Sequence, residues 1–324
     1  MPTIKLGAGE TAPKILLALL LAFCLPLAQA ATLRVGPQET ITRIAEAARL
    51  AKDGDTIEIL SGEYRGDVAV WQQKALTIRG IGQRPVLIAD GKHAEGKAIW
   101  VIRNGDFRIE NIEFRGARVP TGNGAGIRFE SGKLSIHDCT FIDNQMGILT
   151  GNVSTAELVI GNSRFADAPR QMHSLPHLLY VGRIAKVTIT GSRFEKGYRG
   201  HLVKSRARQS ILRDNHIVDG PDGEASYEID LPNGGITHIV GNTVGQSAKT
   251  QNPVLISYGA EGNVWPDNAL VLEGNTLISD LLPGGWFLRI HEDKFPASPT
   301  IQVDNNRTLG LGTFTPDHLQ TNQP

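Results

Sequence analysis

One short pattern recurs along the chain and limits the folds that it can adopt. Within eight positions it places two apolar residues two apart, then Asn, Asp or Gly, or a small polar residue, and then a third apolar residue. The clearest copies are at 107–114, 134–141, 158–165 and 187–194, and weaker ones begin near Ser210, Thr237, Leu270 and Ile301. Successive copies start 23 to 33 residues apart. The period of two predicts a strand in each copy, and the polar residue or Gly predicts a tight turn after it.

Strands at this interval predict an all-β chain folded as a single-domain right-handed parallel β-helix, in which each coil pairs only with its neighbours. A β-sandwich is the alternative, but it would show hairpin turns every ~8–12 residues and no recurring Asn. Asn215, Asn242, Asn275 and Asn306 take the same place in successive copies. We expect them to form a side-chain ladder between coils, with a structural role.

The two ends of such a coil need covers, since their strands would otherwise be unpaired edges. Apolar residues at i, i+3, i+4 and i+7 over 41–48 predict a short amphipathic helix that caps the first coil. The β-helix domain is expected over 31–312, followed by a polar tail over 313–324. No linker divides the chain, and we expect a monomer.

The first thirty residues have the features of a signal peptide. Lys5 and Lys14 precede an apolar run over 15–27, and Ala28-Gln29-Ala30 fits a cleavage site. The run is short for a membrane span, and no later segment is long enough for one. We therefore expect a periplasmic or secreted protein that has no membrane span after cleavage.

The charges are balanced overall but unevenly placed along the chain. With 33 basic and 33 acidic residues the chain is formally neutral, which argues against a nucleic-acid partner. Nine basic residues lie between Arg183 and Arg213 with only Glu195 opposing them, and six acidic residues without Lys or Arg follow over 214–230. This predicts a basic face that holds an anionic chain. The alternative is salt bridging between coils, with Lys204 paired to Asp230.

The strands before each copy suggest where a site would lie. If Leu179, Val203 and Ile229 point inward, the next residue in each strand points outward. The outward column is then Tyr180, Lys204, Asp230, Ser257 and Arg289. A neighbouring outward column would hold Leu178, Leu202, Glu228, Leu255 and Phe287, whereas His201 is expected to point inward as a structural residue.

This column could support β-elimination on a uronate polymer, which needs a cation, a base and an acid. Arg206 or Arg289 would neutralise the carboxylate, Lys204 would be the base, and Tyr180 or His177 would be the acid. The further candidates for substrate contact are Arg183, Arg199, Glu228, Asp230, Tyr258 and Arg289. Asp230 beside Lys204 would tend to keep the amine protonated. C5 epimerisation would use the same groups.

The repeat, the Asn turns and the helical cap over 32–309 resemble the pectate-lyase-like superfamily of right-handed β-helices. Within it, His201-Leu-Val-Lys-Ser205, with the Asn residues that follow, is similar to the lysine region of the alginate lyase and chondroitinase B family. The resemblance implies that Lys204 is the base beside a uronate carboxylate. Asp230 stands where that family has an assisting Arg, and 198–200 replaces its acidic calcium ligands. Calcium is therefore a possible cofactor for which no ligand set is recognised, and no metal site is assigned.

The sequence therefore predicts an exported lyase or C5-epimerase that acts on an anionic, uronate-containing polysaccharide. The alternative is a non-catalytic carbohydrate-binding or accessory β-helix protein. Glycoside hydrolysis fits less well, because it needs paired carboxylates and only Glu228 and Asp230 form a close acidic pair on the column.

Overall fold

The computed structural model describes residues 1–3, 30–170, 175–282 and 284–315. Nearly all of the predicted signal peptide and the end of the predicted tail, 316–324, lie outside the described residues. Among the described residues, no helix has both the length and the apolar character needed to cross a membrane.

The described residues fold almost entirely into short strands. In chain order the elements are β1 (Thr32–Val35), α1 (Ile44–Leu50), β2 (Thr56–Leu60), β3 (Glu63–Arg65), β4 (Ala69–Trp71), β5 (Ala75–Ile81), β6 (Val86–Ile88), β7 (Ala98–Ile102), β8 (Asp106–Glu110), β9 (Glu113–Arg115), β10 (Ala125–Phe129), β11 (Lys133–His137), β12 (Thr140–Ile142), β13 (Met146–Thr150), β14 (Glu157–Gly161) and β15 (Arg164–Ala166). They continue with β16 (His177–Val181), β17 (Lys186–Thr190), β18 (Arg193–Glu195), β19 (Val203–Ser205), β20 (Gln209–Arg213), β21 (His216–Val218), β22 (Ile229–Leu231), β23 (Ile236–Val240), β24 (Thr243–Gln246), β25 (Val254–Tyr258), β26 (Ala269–Glu273), β27 (Thr276–Ser279), β28 (Gly285–Ile290), a 3-10 turn (Glu292–Lys294), β29 (Thr300–Asp304), β30 (Arg307–Gly310) and β31 (Gly312–Thr315).

From β5 onward, each strand pairs with the strand three positions before it in the chain. The chain therefore winds through three parallel sheets. The first sheet runs in the order β1-β2-β5-β8-β11-β14-β17-β20-β23-β26-β29, the second β4-β7-β10-β13-β16-β19-β22-β25-β28-β31, and the third β3-β6-β9-β12-β15-β18-β21-β24-β27-β30. The predicted all-β parallel β-helix is confirmed. A sandwich is excluded, because its hairpins would pair antiparallel.

The predicted ladder is confirmed and is longer than expected. Asn242 Oδ1 accepts from the backbone N–H and from Nδ2 of Asn215, both at 2.9 Å. Asn275 and Asn306 accept from the coil before them in the same way. Earlier coils continue the ladder with hydroxyls, since Ser192 Oγ accepts from the N–H of Ser163 at 3.1 Å. Each rung thus satisfies a buried turn N–H with a side chain of the next coil.

The interior between the sheets is filled by stacked side chains of successive coils. Phe114, Phe141, Phe165 and Phe194 lie nearly parallel, with ring centroids 4.6 to 5.1 Å apart. All four are buried. Because an aromatic ring buries a large apolar area, this column contributes strongly to the packing of the middle coils.

Helix α1 lies at the N-terminal end of the coil, as predicted, and packs against β1 and β4. Its inward residues are Ile44, Ala47 and Ala48. The carboxylate of Asp67 accepts the N–H groups of Ile44 (2.6 Å) and Ala45 (3.0 Å), so the first coil caps the helix.

The coil extends further at its C-terminal end than the sequence suggested. Residues 313–315 were expected in the polar tail, but they belong to β31, which pairs with β28. Phe314 is buried there. Its ring packs on that of Phe287, with the centroids 5.7 Å apart, so an apolar contact holds this stretch although its neighbours are polar.

Candidate functional site

The outward column predicted on the second sheet is present and in register. Tyr180 pairs with Lys204, Lys204 with Asp230, Asp230 with Ser257, and Ser257 with Arg289. Tyr180 packs on an apolar cluster that is separate from the main core. Adjacent strands lie ~4.8 Å apart, so neighbouring side chains of the column are in contact range.

Lys204 lies at the centre of this column between two carboxylates. Its Nζ is 3.0 Å from Asp230 Oδ2 and donates to Glu261 Oε1 at 2.9 Å. The side chains of Lys204 and Asp230 are 9% and 2% exposed. Burial opposes the charge of Lys204, but the two carboxylates outweigh it and raise the pKa of the amine. Lys204 is therefore held as a cation.

Arg206 forms a second positive group beside Lys204. Its Nη2 is 2.6 Å from Glu261 Oε2, its Nε donates to Tyr180 Oη at 3.0 Å, and its Nη1 donates to Asn233 Oδ1 at 2.7 Å. Burial disfavours the charge of Arg206, yet these partners raise its pKa. Lys204 and Arg206 thus bind the carboxylate of Glu261, and the Tyr180 hydroxyl is bound to the same Arg206 guanidinium.

Glu261 reaches this position from the loop between β25 and β26, which folds over the column. The loop is fixed by Asn233 Nδ2, which donates to the carbonyl of Gly262 at 2.7 Å, and by Trp265 Nε1, which donates to the carbonyl of Arg206 at 3.1 Å. Burial raises the pKa of Glu261, but its bonds to Lys204 and Arg206 prevail and lower it. The carboxylate is therefore ionised.

A second outward row runs beside the first and is aromatic. His177, His201 and Tyr227 stack with centroids 4.7 and 4.9 Å apart. His201 was expected to point inward; instead its Nδ1 is 3.4 Å from Asp230 Oδ2 on the outer face. Burial, followed by the neighbouring His177, Lys204 and Arg206, lowers the pKa of His201 well below its usual value.

His177 is held in the neutral form by its surroundings. Its Nδ1 accepts the backbone N–H of His201 at 2.8 Å. Burial, followed by the charges of Lys204 and Arg206, lowers its pKa to about 3. A neutral imidazole whose Nδ1 is occupied is a poor proton donor, so the geometry does not favour His177 as the acid.

The prediction that a neighbouring column points outward is wrong. Leu178 and Leu179 both belong to the core, and Glu228 is fully buried within the coil. The strict alternation fails because two consecutive residues are buried in each strand; at Leu202 and Glu228 the chain bends directly before the strand begins. Glu228 therefore cannot contact a ligand on the surface, and it lies on the opposite side of the sheet from Asp230.

Tyr258 also lies inside, contrary to its predicted contact with substrate. It is fully buried, donates from Oη to the carbonyl of Gly235 at 2.5 Å and stacks on Phe295. Burial raises its pKa beyond the usual phenol range. It supports the loop rather than the surface of the site.

The predicted arginines are distributed around the site. The guanidinium of Arg183 lies 4.1 Å from the ring centroid of Trp265 and donates to the carbonyl of Asn263, so it borders the Glu261 loop. Arg289 ends the outward column and lies over Trp286 at 5.0 Å. Arg199 is exposed in the turn before β19, and no contact joins it to Lys204.

The prediction that the charge run forms a single basic face is wrong. Lys186 and Arg213 lie on the first sheet, and Arg193 lies on the third, where it pairs with Glu195 at 3.4 Å. One coil of about 25 residues visits all three faces, so a run of nine charges is spread around the axis. Lys204 and Arg206 remain together because they are two residues apart.

Within the part of the chain that the structure describes, no group of three or more His, Cys, Asp or Glu side chains is arranged to hold a metal ion. Tyr198, Arg199 and Gly200 lie where the resemblance would place acidic calcium ligands. The carboxylates near the site are instead bound by Lys204 and Arg206.

Comparison with known proteins gives a fold and no family assignment. No family model and no curated protein matches the chain. A solved structure, the PL6 family alginate lyase AlyGC, is similar with a TM-score of 0.52 at 15% identity. The match covers 87% of this chain and 40% of that chain, so this chain spans less than half the length of its structural neighbour. The likeness shows the parallel β-helix fold.

Proposed function

We propose that this protein binds an anionic, uronate-containing polysaccharide on the outer face of the second sheet and cleaves it by β-elimination. One observation carries the proposal: Lys204 and Arg206 together bind the two oxygens of a single carboxylate, next to the Tyr180 hydroxyl. The structural neighbour is a polysaccharide lyase, which supports the same reaction class. An exported, monomeric protein would fit such a substrate.

The reaction assigns these groups separate roles. A proton leaves the carbon beside the uronate carboxylate, the bond from the next carbon to the glycosidic oxygen breaks, a carbon–carbon double bond forms, and the leaving oxygen takes up a proton. Lys204 and Arg206 would neutralise the carboxylate as negative charge develops. Tyr180, whose hydroxyl lies beside Arg206, would relay the proton: its oxygen accepts the proton from the carbon while its own hydroxyl hydrogen passes to the leaving oxygen. C5 epimerisation would begin with the same proton removal, but the bond to the glycosidic oxygen would stay intact and a proton would return to the opposite face of the same carbon.

The role of Lys204 departs from that of a base. A base must lose its proton near neutral pH, whereas Asp230 and Glu261 raise the pKa of this amine. A permanent cation suits carboxylate neutralisation better. Lys204→Arg would then retain part of the activity, while Lys204→Ala would lose about 100-fold or more in kcat/KM.

The test is the ultraviolet absorbance of unsaturated uronate released from alginate, polygalacturonate and hyaluronate. Wild type is compared with Lys204→Arg, Lys204→Ala and Tyr180→Phe, and we expect a loss of about 100-fold for the last. Arg213→Ala is the matched control, because Arg213 belongs to the same basic run but is exposed on the first sheet. Equal loss in Lys204→Arg and Lys204→Ala would restore Lys204 as the base, and full activity in Tyr180→Phe would remove Tyr180 from the mechanism.

A second candidate is a non-catalytic binder or accessory protein. The observation that favours it is that both cations are already paired with carboxylates of the protein. Binding without product on every polymer would support it. Glycoside hydrolysis loses its support, because the acidic pair Glu228 and Asp230 is split between the interior and the outer face.

A further inference from the structure

We propose that Glu261 occupies the carboxylate-binding subsite of this protein and competes with the carboxylate of an incoming ligand. The inference deepens the proposed function and rests on it for the polymer, but the subsite itself is defined by Lys204 and Arg206. Each oxygen of Glu261 binds a different cation, Oε1 with Lys204 at 2.9 Å and Oε2 with Arg206 at 2.6 Å. This is how two neighbouring cations would hold a ligand carboxylate.

The exposure of the three side chains shows which of them can leave. Lys204 and Arg206 are 9% and 18% exposed, whereas Glu261 is 47% exposed. The cations lie at the bottom of the subsite, and the carboxylate comes from the solvent side. A ligand approaching from solvent therefore meets Glu261 first.

The cations stay in place when Glu261 leaves. Lys204 keeps its ion pair with Asp230, and Arg206 keeps its bonds to Tyr180 and Asn233. These contacts fix both cations before any ligand arrives, which lowers the entropic cost of binding.

Glu261 can leave by side-chain rotation, because its backbone is fixed. Its N–H donates to the carbonyl of Pro232 at 3.0 Å, and the Gly262 N–H donates to the carbonyl of Gly259 at 3.1 Å. The exchange therefore needs no rearrangement of the loop.

The charge balance allows one carboxylate at a time. Lys204 and Arg206 are balanced by Asp230 and Glu261, so release of Glu261 leaves one positive charge. Asp230 is too buried to leave. A ligand carboxylate that replaces Glu261 restores neutrality. Its apparent affinity is the intrinsic affinity multiplied by the fraction of time that Glu261 leaves the subsite free. The ligand is thus a monocarboxylate group, as on a uronate ring.

The experiment uses the full chain and two small probes, acetate and glucuronate, with glucose as the neutral control. Binding is followed by the NMR signal of the Trp265 indole N–H, which donates to the carbonyl of Arg206. Glu261→Gln should bind both carboxylates about tenfold more tightly than wild type and should ignore glucose. Asp267→Asn is the matched control, because Asp267 lies on the same loop but pairs with exposed Arg208. It should behave as wild type.

Unchanged or weaker carboxylate binding in a folded Glu261→Gln would overturn the proposal. If that variant does not fold, Glu261→Asp replaces it, since the shorter side chain cannot bridge both cations and should also bind acetate more tightly. On an active polymer, Glu261→Gln should lower KM and keep kcat, whereas a fall in kcat would make Glu261 part of the catalytic machinery and refute competition. Tight glucuronate binding without polymer cleavage would keep the subsite and reject the lyase.

Discussion

Among single residues, Glu228 places an ionisable group in the apolar interior of the coil. It is fully buried beside Leu202 and Leu255, and neither carboxyl oxygen has a hydrogen-bond partner among the described residues. Burial, and then the nearby charge of Asp219, raises its pKa well above the usual value. Its neutral form is therefore the one that the interior accommodates.

This pKa predicts how the stability of the protein depends on pH. Below about pH 4.5 the carboxyl is protonated in both states, and as pH rises the unfolded chain loses the proton while the folded chain keeps it. The contribution of Glu228 to stability is thus present at low pH and is lost as pH rises toward the folded pKa. Urea denaturation should show Glu228→Leu gaining about 1–3 kcal/mol more over wild type at pH 8 than at pH 4.5.

Two variants make this measurement specific. Glu228→Gln removes the titration and keeps a polar group, so its stability should also be flatter with pH than that of wild type. Glu63→Gln changes an exposed carboxylate that pairs with Arg65, and it should follow the wild-type curve. Parallel curves for wild type and Glu228→Leu across this range would show that the buried carboxyl does not govern the pH dependence.

The same residue shows where prediction from the sequence stops. Alternation correctly predicted that Tyr180, Lys204, Asp230, Ser257 and Arg289 share one outward column. It failed for Glu228, since a bend that turns two consecutive residues inward leaves no mark in a period-two pattern. Glu261 was missed for another reason: it lies 57 residues after Lys204. Only the folded loop brings it there.

Among the secondary-structure elements, the turns that follow the strands of the first sheet are linked from coil to coil by side-chain hydrogen bonds. These bonds add to the pairing of the strands. The ladder could be predicted because its Asn residues repeat at one position. Its continuation through Ser192 and Ser163 could not be predicted, since Ser also occurs in many unrelated turns. What these residues share is an oxygen that accepts the N–H of the coil before.

The ladder predicts a graded response to substitution at Asn242. Asn242→Ala leaves the buried N–H of Asn215 without an acceptor, so unfolding should require about 2–4 kcal/mol less free energy, measured with urea. Asn242→Ser should cost roughly half as much, because Ser192 already serves as an acceptor at the equivalent position. Equal losses in the two variants would mean that shape, and not the accepted hydrogen bond, determines the role of the rung.

At the scale of the whole molecule, stability depends on how many neighbours a coil has. Strand β17 pairs with β14 and β20, whereas β29 pairs, among the strands that the structure describes, only with β26. In such a stack each coil is stabilised mainly by the interfaces on its two sides. The terminal coils should therefore open more often than the middle ones.

Amide hydrogen exchange can measure this gradient. The amides of β29, β30 and β31 should exchange at least about tenfold faster than those of β17, since local opening of an end breaks one interface instead of two. Strand β4 should be intermediate, because α1 packs on that end. Uniform protection along the chain would show that the coil unfolds as one cooperative unit.

The ladder also has a consequence for how such a chain can change over time. The copies are separated by unequal numbers of residues, yet each rung aligns its coil with the next one. An insertion or deletion in a loop is therefore corrected within one coil, and it does not shift the strands that follow. Loops such as the one that carries Glu261 can be lengthened, exchanged or lost while Tyr180, Lys204 and Asp230 stay side by side. The surface of the site is free to diversify because the ladder resets the alignment at each coil that it joins.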